Sequence, residues 1–478
     1  MASVPAPEPA AGWTELFRSG HGGALALICL GIWLHAGDEL MVATVTPAMI
    51  ADIGGDAWIG WLTALYEVGS ITASALGAWL AHRLGVRSTL ALAGLVYMAG
   101  CIASGFAPGM DFMLAGRLLQ GLGGGAIVAV SLISAWRTFP GRLLARAVAA
   151  ISLVWGVAAF VGPMVGAVFV EWGDWRGAFF FFAAQALLYA MAVGRYAPRE
   201  DVAGNAPFPV FRMLVLAAGV IAVAWGGIVI DTGAALASVA LGVGLIAVFV
   251  MLDARSGAAR LLPGGVPMLA SPAGSTMALV FGLSSGASAL LIYGPVLIGV
   301  LHGLSAFSIG LILVLESVGW SIAALLVAGV GRETEAKLIV AGAAVVVIGM
   351  VGIGATIAFG PVWALPVFAT LQGAGFGFSW TFILRRGAAI VAADDGERVT
   401  SAINTVQRFG YALGAAAIGI AANRAGLTIA MDAGTAQRVT IAIFALTLVP
   451  ALAGLAAAIR FVRFEERDDA SASLHHDA

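Results

Sequence analysis

The chain has 478 residues, of which 61% are hydrophobic and 10% charged, with a formal net charge of −2. Soluble domains carry about 25% charged residues. There is too little polar material here to cover a water-facing surface, and the 64 glycines suit membrane helices, so a water-soluble globular protein is excluded. The composition predicts an all-α integral membrane protein. Cys29 and Cys101 both lie in apolar runs and provide neither a disulfide framework nor a metal site, so packing is their expected role.

The first twenty residues contain Pro5, Pro7 and Pro9 and lack the basic start and apolar core of a secretory signal, so no cleaved leader is expected. A bilayer core about 30 Å thick takes about 20 apolar helical residues per crossing. Charged or Gly/Pro-marked breaks divide the chain into 14 such spans: 24–51, 58–81, 88–107, 111–136, 144–170, 176–194, 211–230, 232–252, 272–301, 306–330, 336–359, 361–384, 399–422 and 436–459. Only Asp231 to Gly233 separate spans 7 and 8, which leaves a re-entrant pair open there.

Short cytoplasmic loops accumulate Lys and Arg. Of the 24 such residues, Arg117 and Arg408 lie deep inside spans, Arg176, Arg424 and Arg438 lie at or beyond span ends on one side, and the other 19 at or beyond span ends opposite. This asymmetry predicts that both termini are cytoplasmic. A single Lys, Lys337, among so many Arg, with heavy Ala and Gly use, points to a GC-rich bacterial genome and hence to the cytoplasmic (inner) membrane.

Charged side chains within a bilayer are costly and usually face a bundle interior or a watery cavity. Span 1 carries Asp38 and Glu39, span 2 Glu67, span 4 Arg117, span 10 Glu316 and span 13 Arg408. Each could be a structural ion pair, but two acids would remain without a basic partner and should carry protons or bind cations. Asp38 stands about 21 Å along span 1, near the midplane of a tilted helix. His35 precedes Asp38 by three residues and Glu39 by four and can contact either. The two acids diverge by about 100° on the wheel, so one can face a cavity and the other a neighbouring helix. Thr63, Glu67, Ser70 and Ser74 form one polar stripe on span 2, and Asn404, Gln407, Arg408 and Tyr411 another on span 13. Span 12 places Gln372, Phe376 and Trp380 at helical spacing; the two rings are open to lipid contact, core packing or substrate binding.

These motifs carry a resemblance. Span 1 reads GDELMVATVTPAMIADIG, span 2 WLTALYEVG running into LAHRLGVR, span 4 GRLLQGLGGG and span 5 WGVAAFVGPMVGAVFVEWGDWRGAFF. Together they resemble the major facilitator superfamily, in its fourteen-span branch of drug:proton antiporters. The resemblance covers the first six spans well; farther on, IYGPVLIGVLHGLSAFSIGLILV looks like the family's span 9 to 10 hairpin. It implies a six-span bundle over 23–195, two extra spans with their linker over 196–262, a second six-span bundle over 263–462, and cytoplasmic segments at 1–22 and 463–478. Substrate would bind near the midplane between the bundles.

By that resemblance Asp38, Glu39, Glu67 and Arg117 are the proton-coupling set, Arg117 linking protonation of the span 1 acids to conformation. His35, Glu67, Glu316, Gln372, Phe376, Trp380, Asn404, Gln407, Arg408 and Tyr411 are the substrate-binding candidates. Gly162, Pro163 and Gly166 would kink and thin span 5. Arg83, Gly85 and Arg87 resemble a cytoplasmic latch, in which His82 stands where the family has an acid. A neutral His82 could hydrogen-bond, whereas a protonated one would repel Arg83 and Arg87.

The expected function is proton-coupled export of small lipophilic, cationic compounds by alternating access, since aromatic faces and carboxylates attract cations. Proton-coupled uptake of a small solute is the alternative, followed by a non-transporting membrane receptor or structural partner. An enzyme is not expected. The histidines at 21, 35, 82, 302, 475 and 476 have no metal-ligand spacing, and there is no GxxxxGK[ST] sequence. No cofactor and no nucleic-acid partner are expected; the partners are a small-molecule substrate, protons and the lipid bilayer, and the protein is expected to be a monomer.

Overall fold

The computed structural model describes residues 20–139, 141–198, 209–226, 228–229, 231–257, 260–266, 268–391 and 396–464. The N-terminal segment expected over 1–22, the tail over 463–478 and much of the linker after 196 therefore lie largely outside the described residues. Among those described there are fourteen α-helices and no strand. In order they are α1 Gly22–Ile53, α2 Ile59–Leu84, α3 Val86–Gly105, α4 Met110–Thr138, α5 Gly141–Glu171, α6 Trp175–Tyr196 and α7 Val210–Trp225. The remainder are α8 Thr232–Ala254, α9 Pro272–His302, α10 Ala306–Val327, α11 Arg332–Phe359, α12 Leu365–Ala389, α13 Gly396–Arg424 and α14 Ala433–Phe461.

Each expected span overlaps one of these helices, and eleven of the fourteen are long and apolar enough to cross a membrane. The others are α7, with only 16 residues, and α2 and α13, which carry the Thr63–Glu67–Ser70–Ser74 and Asn404–Gln407–Arg408–Tyr411 polar stripes. Boundaries differ from the sequence reading by up to five residues, and two of the larger differences fall at turns. Span 7 was expected to run to 230, but α7 stops at Trp225, capped by the first residue of a Gly226-Gly227 pair. Span 12 was expected from 361, but α12 starts at Leu365 after a short 3-10 turn, Val362–Ala364, with Pro366 in its first turn, where a missing N–H costs nothing.

The exposure pattern is that of a chain surrounded by lipid. Leu325 and Val449 are 77% and 67% exposed, whereas Asp38 and Arg117 are 0% and 2% exposed. Apolar side chains face outward and charged groups lie inside, as a medium without hydrogen-bonding capacity favours. Two compact units divide the chain: Met1–Val42 with Gly69–Phe208, and Ala43–Val68 with Pro209–Ala478. In the first, α3 packs on α4 and α6, and Leu25, Ile28 and Ile32 of α1 share a core with Ala135 of α4, its capping residue Phe139, and Leu143 and Ala147 of α5. In the second, α9 packs on α13 and α14, α12 on α10 and α11, and α7 on α8 and α13.

Candidate functional site

In the first unit, α1 directs Asp38 inward to meet α4. Arg117 Nη1 lies 2.9 Å from Asp38 Oδ2, and both side chains are buried. Gln120, one turn beyond Arg117, donates its amide to Asp38 Oδ1 at 3.1 Å and to Cys101 Sγ at 3.3 Å. Its carbonyl oxygen accepts from Arg117 Nη1 at 3.1 Å and from Ser104 Oγ at 3.2 Å. All four hydrogen-bonding positions of this buried amide are occupied, which fixes the carboxylate and the guanidinium in one arrangement. Glu39 turns away from this cluster, with His35 Nε2 3.7 Å from Glu39 Oε2. The buried His35 ring stands edge-on to Trp155 of α5.

The glycine of the span 5 motif has a local reason. A Cβ on Gly162 would strike the carbonyl oxygen of Gly37 and Leu40, so the absence of a side chain lets α5 lie against α1 next to Asp38. Pro163 and Gly166 are buried within a helix that continues to Glu171. In the last turn of α2, His82 and Arg83 are exposed, and Arg83 stacks 4.7 Å from the centre of the Trp79 ring. Gly85 takes a left-handed φ of 81° ahead of α3, and Arg87 donates to the carbonyl of Ala197, the residue that caps α6, at 2.7 and 3.2 Å. Arg87 thus ties two helix ends of this unit together through a backbone acceptor, with no carboxylate needed.

The second unit holds two further groups. Glu67 on α2 is fully buried and meets Arg408 Nη1 of α13 at 3.3 and 3.5 Å. Glu316 on α10 accepts from the Gln372 amide of α12 at 2.8 Å, and among the described residues no cationic side chain pairs with it. One turn along both helices the contact becomes aromatic. Trp320 stacks on Phe376 at 5.1 Å and 11°, and Trp380 adds a third ring 5.8 Å from Trp320 and 6.4 Å from Phe376. Phe376 is only 2% exposed, so it belongs to the core and not to the lipid surface. Gly373 allows this close approach, because a Cβ there would collide with the carbonyl oxygen of Glu316.

The remaining candidates on α13 separate: Gln407 donates to the Tyr411 hydroxyl at 3.3 Å, while Asn404 is exposed. Gln120 and Trp320 are the residues that sequence reasoning missed. Both signals were available, since Gln120 follows Arg117 by three residues and Trp320 follows Glu316 by four, placing each on the same helix face. Two more buried carboxylates, Asp253 and Glu335, sit toward helix ends and pair with Arg212 and Arg385.

Intramembrane charges of both signs, buried on apolar helices, are the arrangement of a transport protein, and comparison with known proteins supplies the family. The model of the Major Facilitator Superfamily matches residues 28–415. The chain belongs to this superfamily. A "Probable multidrug-efflux transporter" of Mycobacterium tuberculosis is 30% identical over 435 residues, covering 86% of this chain and 90% of that protein. Among solved structures, the POT family transporter PepTSo superposes with a TM-score of 0.68 at 13% identity, covering 95% of this chain and 99% of the other. A D-xylose–proton symporter does so with a TM-score of 0.64 at 15% identity, covering 92% and 97%. At those identities the structures show a shared fold. The protein is a multi-pass membrane transporter of small molecules and not an enzyme.

Proposed function

We propose that this chain is a proton-coupled exporter of small lipophilic cations that works by alternating access. The observation that carries the reading is Glu316, a half-buried carboxylate with an amide and, among the described residues, no cation beside it, one helical turn from three aromatic rings. A carboxylate and ring faces are the two groups that attract a lipophilic cation in a dry site, and the name of the mycobacterial relative supports export.

Asp38, Arg117 and Gln120 are the coupling group, with Glu39, His35 and Glu67 as further acid–base partners. Protonation of Asp38 cancels its attraction for Arg117, leaving a buried guanidinium that must find other acceptors, so the packing of α1 against α4 responds to proton occupancy. Gln372, Phe376, Trp380 and Trp320 form the substrate wall with Glu316, and Arg408, Gln407, Tyr411 and Asn404 contribute from α13. Arg83, Gly85 and Arg87, with His82, make up the latch at the cytoplasmic side. The fourteen helices are fourteen spans: six over 23–195, an inserted pair within 196–262, and six over 263–462. Both termini face the cytoplasm, in agreement with the distribution of arginine, and the protein works as a monomer in the inner membrane.

Flux of a fluorescent lipophilic cation into inside-out vesicles tests this. With an acid interior, protein-dependent accumulation that collapses on adding a protonophore is expected. Accumulation in right-side-out vesicles driven by an inward proton gradient would replace export with uptake, and flux indifferent to pH gradients in both orientations would end proton coupling.

A further inference from the structure

The helix pair α7–α8 is an addition to two six-helix bundles, and its inner member does not behave as a tether. Along α7, Met213, Leu216, Val220, Val223 and Ala224 are at most 5% exposed, whereas Phe211 and Leu214 on the opposite face are 68% and 62% exposed. The inward face meets α2 and α13 at one level: Val220 shares a small core with Val68 and Ala412, with Ala217, Phe409 and Leu413 packed around it. Val68 follows Glu67 directly, Phe409 follows Arg408, and Ala412 is one turn beyond Arg408. Val220 therefore sits against the backbone that presents both members of the Glu67–Arg408 pair, whose carboxylate is fully buried.

The end of α7 is anchored beside the same seam. Trp61 donates its indole N–H to the carbonyl of Ala224 at 3.2 Å. Trp58, Trp61 and Trp225 form a triangle of rings with centroids 5.2, 6.1 and 6.4 Å apart. The outer helix α8 backs α7, with Ser238 Oγ donating to Ala222 O at 2.8 Å and Asp253 holding Arg212 at 2.6 Å.

We propose that α7 is a positioning element for the Glu67–Arg408 pair: through Val220 and the Trp58–Trp61–Trp225 contact it clamps α2 to α13 and sets how readily that pair opens. A buried pair persists only while its surroundings hold both charges in place, since a separated charge in an apolar medium is costly. Residues that supply this packing control the pair without touching it.

Carboxyl labelling tests the clamp without requiring transport. Full-length protein in lipid nanodiscs is treated with dicyclohexylcarbodiimide, which reacts with carboxyl groups in apolar surroundings, and adducts on Glu67 and Asp38 are followed by peptide mass spectrometry. Val220→Ala and Trp225→Ala are expected to raise the Glu67 rate several-fold while Asp38 in the same molecules keeps its wild-type rate. Val220→Ile should retain protection of Glu67. Trp61→Phe, which keeps a ring and removes one hydrogen bond, gives a milder variant with an increase in the same direction. Unchanged Glu67 labelling in Val220→Ala, Trp225→Ala and Trp61→Phe overturns the proposal. Equal acceleration at Glu67 and Asp38 also overturns it, because that is general loosening.

Discussion

Gln120 holds Asp38 by an amide hydrogen bond of 3.1 Å while its own carbonyl oxygen takes a 3.1 Å bond from Arg117, the partner of that same carboxylate. The amide closes a three-membered ring of contacts in which a change at any one group disturbs the other two. Its worth depends on burial, because in a low-dielectric interior a satisfied network is stabilising and a partly satisfied one is costly.

Arg117→Gln is therefore expected to destabilise the protein by about 3–5 kcal/mol, since it leaves Asp38 buried without its cation. The double variant Asp38→Asn/Arg117→Gln should be less destabilised than Arg117→Gln alone, and both should lose gradient-driven flux. Thermal unfolding of the detergent-solubilised protein, with vesicle flux beside it, checks this. Gln120→Leu should cost about 1–3 kcal/mol by removing a donor from Asp38 Oδ1.

At the aromatic-edged carboxylate, Glu316→Gln is expected to weaken binding of a lipophilic cation about tenfold, about 1.4 kcal/mol, and to leave an uncharged analogue unaffected. Trp320→Ala should weaken the cation by about 0.5–2 kcal/mol through loss of a ring face. Titration calorimetry with the matched pair separates charge recognition from simple packing, and equal losses for both ligands would remove Glu316 from the cation site.

Gly373→Val tests the packing that brings α10 and α12 together. Its Cβ would enter the space of the Glu316 carbonyl oxygen, so the helices must part. A loss of about 1–3 kcal/mol is expected from overpacking, with cation affinity falling in the same variant because Glu316 and Gln372 separate. Unaltered melting would mean that the two helices slide freely.

Asp432 provides a pH-dependent prediction outside the spans. It caps α14 by accepting the Thr435 amide, and that bond, with the Thr435 hydroxyl and Arg438, holds its carboxyl below the ordinary value of 3.8. A depressed value means that the cap's contribution is present above 3.8 and is lost as pH falls through the folded-state value. Hydrogen exchange at the Thr435 amide should be faster in Asp432→Ala than in the wild type at neutral pH. The difference should close in strong acid, and a difference independent of pH would rule out the carboxylate as its source.

Much of this protein was legible in the sequence because the relevant physics is local. A run of about 20 apolar residues must become a helix wherever water is absent, since only a helix satisfies its backbone within one segment. The fourteen segments accordingly overlap fourteen helices among the described residues, and two of the boundaries that moved lie at Gly226 and beside Pro361 and Pro366, where turn chemistry overrides hydropathy. The polar residues worth watching were visible for the same reason, as each is an expense against an apolar background.

Which acid meets which base was decided by tertiary structure alone. Asp38 and Arg117 are 79 residues apart, and Glu67 and Arg408 are 341 apart, separations over which helical spacing carries no information. The sequence showed two acids in excess of the bases, and the packing of α10 against α12 makes Glu316 one that faces an amide and aromatic rings. It is also packing that assigns Ala43–Val68, the end of α1 and the start of α2, to the second unit while the rest of both helices stays with the first. Composition along a helix marks what must be buried; the choice of partner comes from the side-chain surfaces that interlock once the helices assemble.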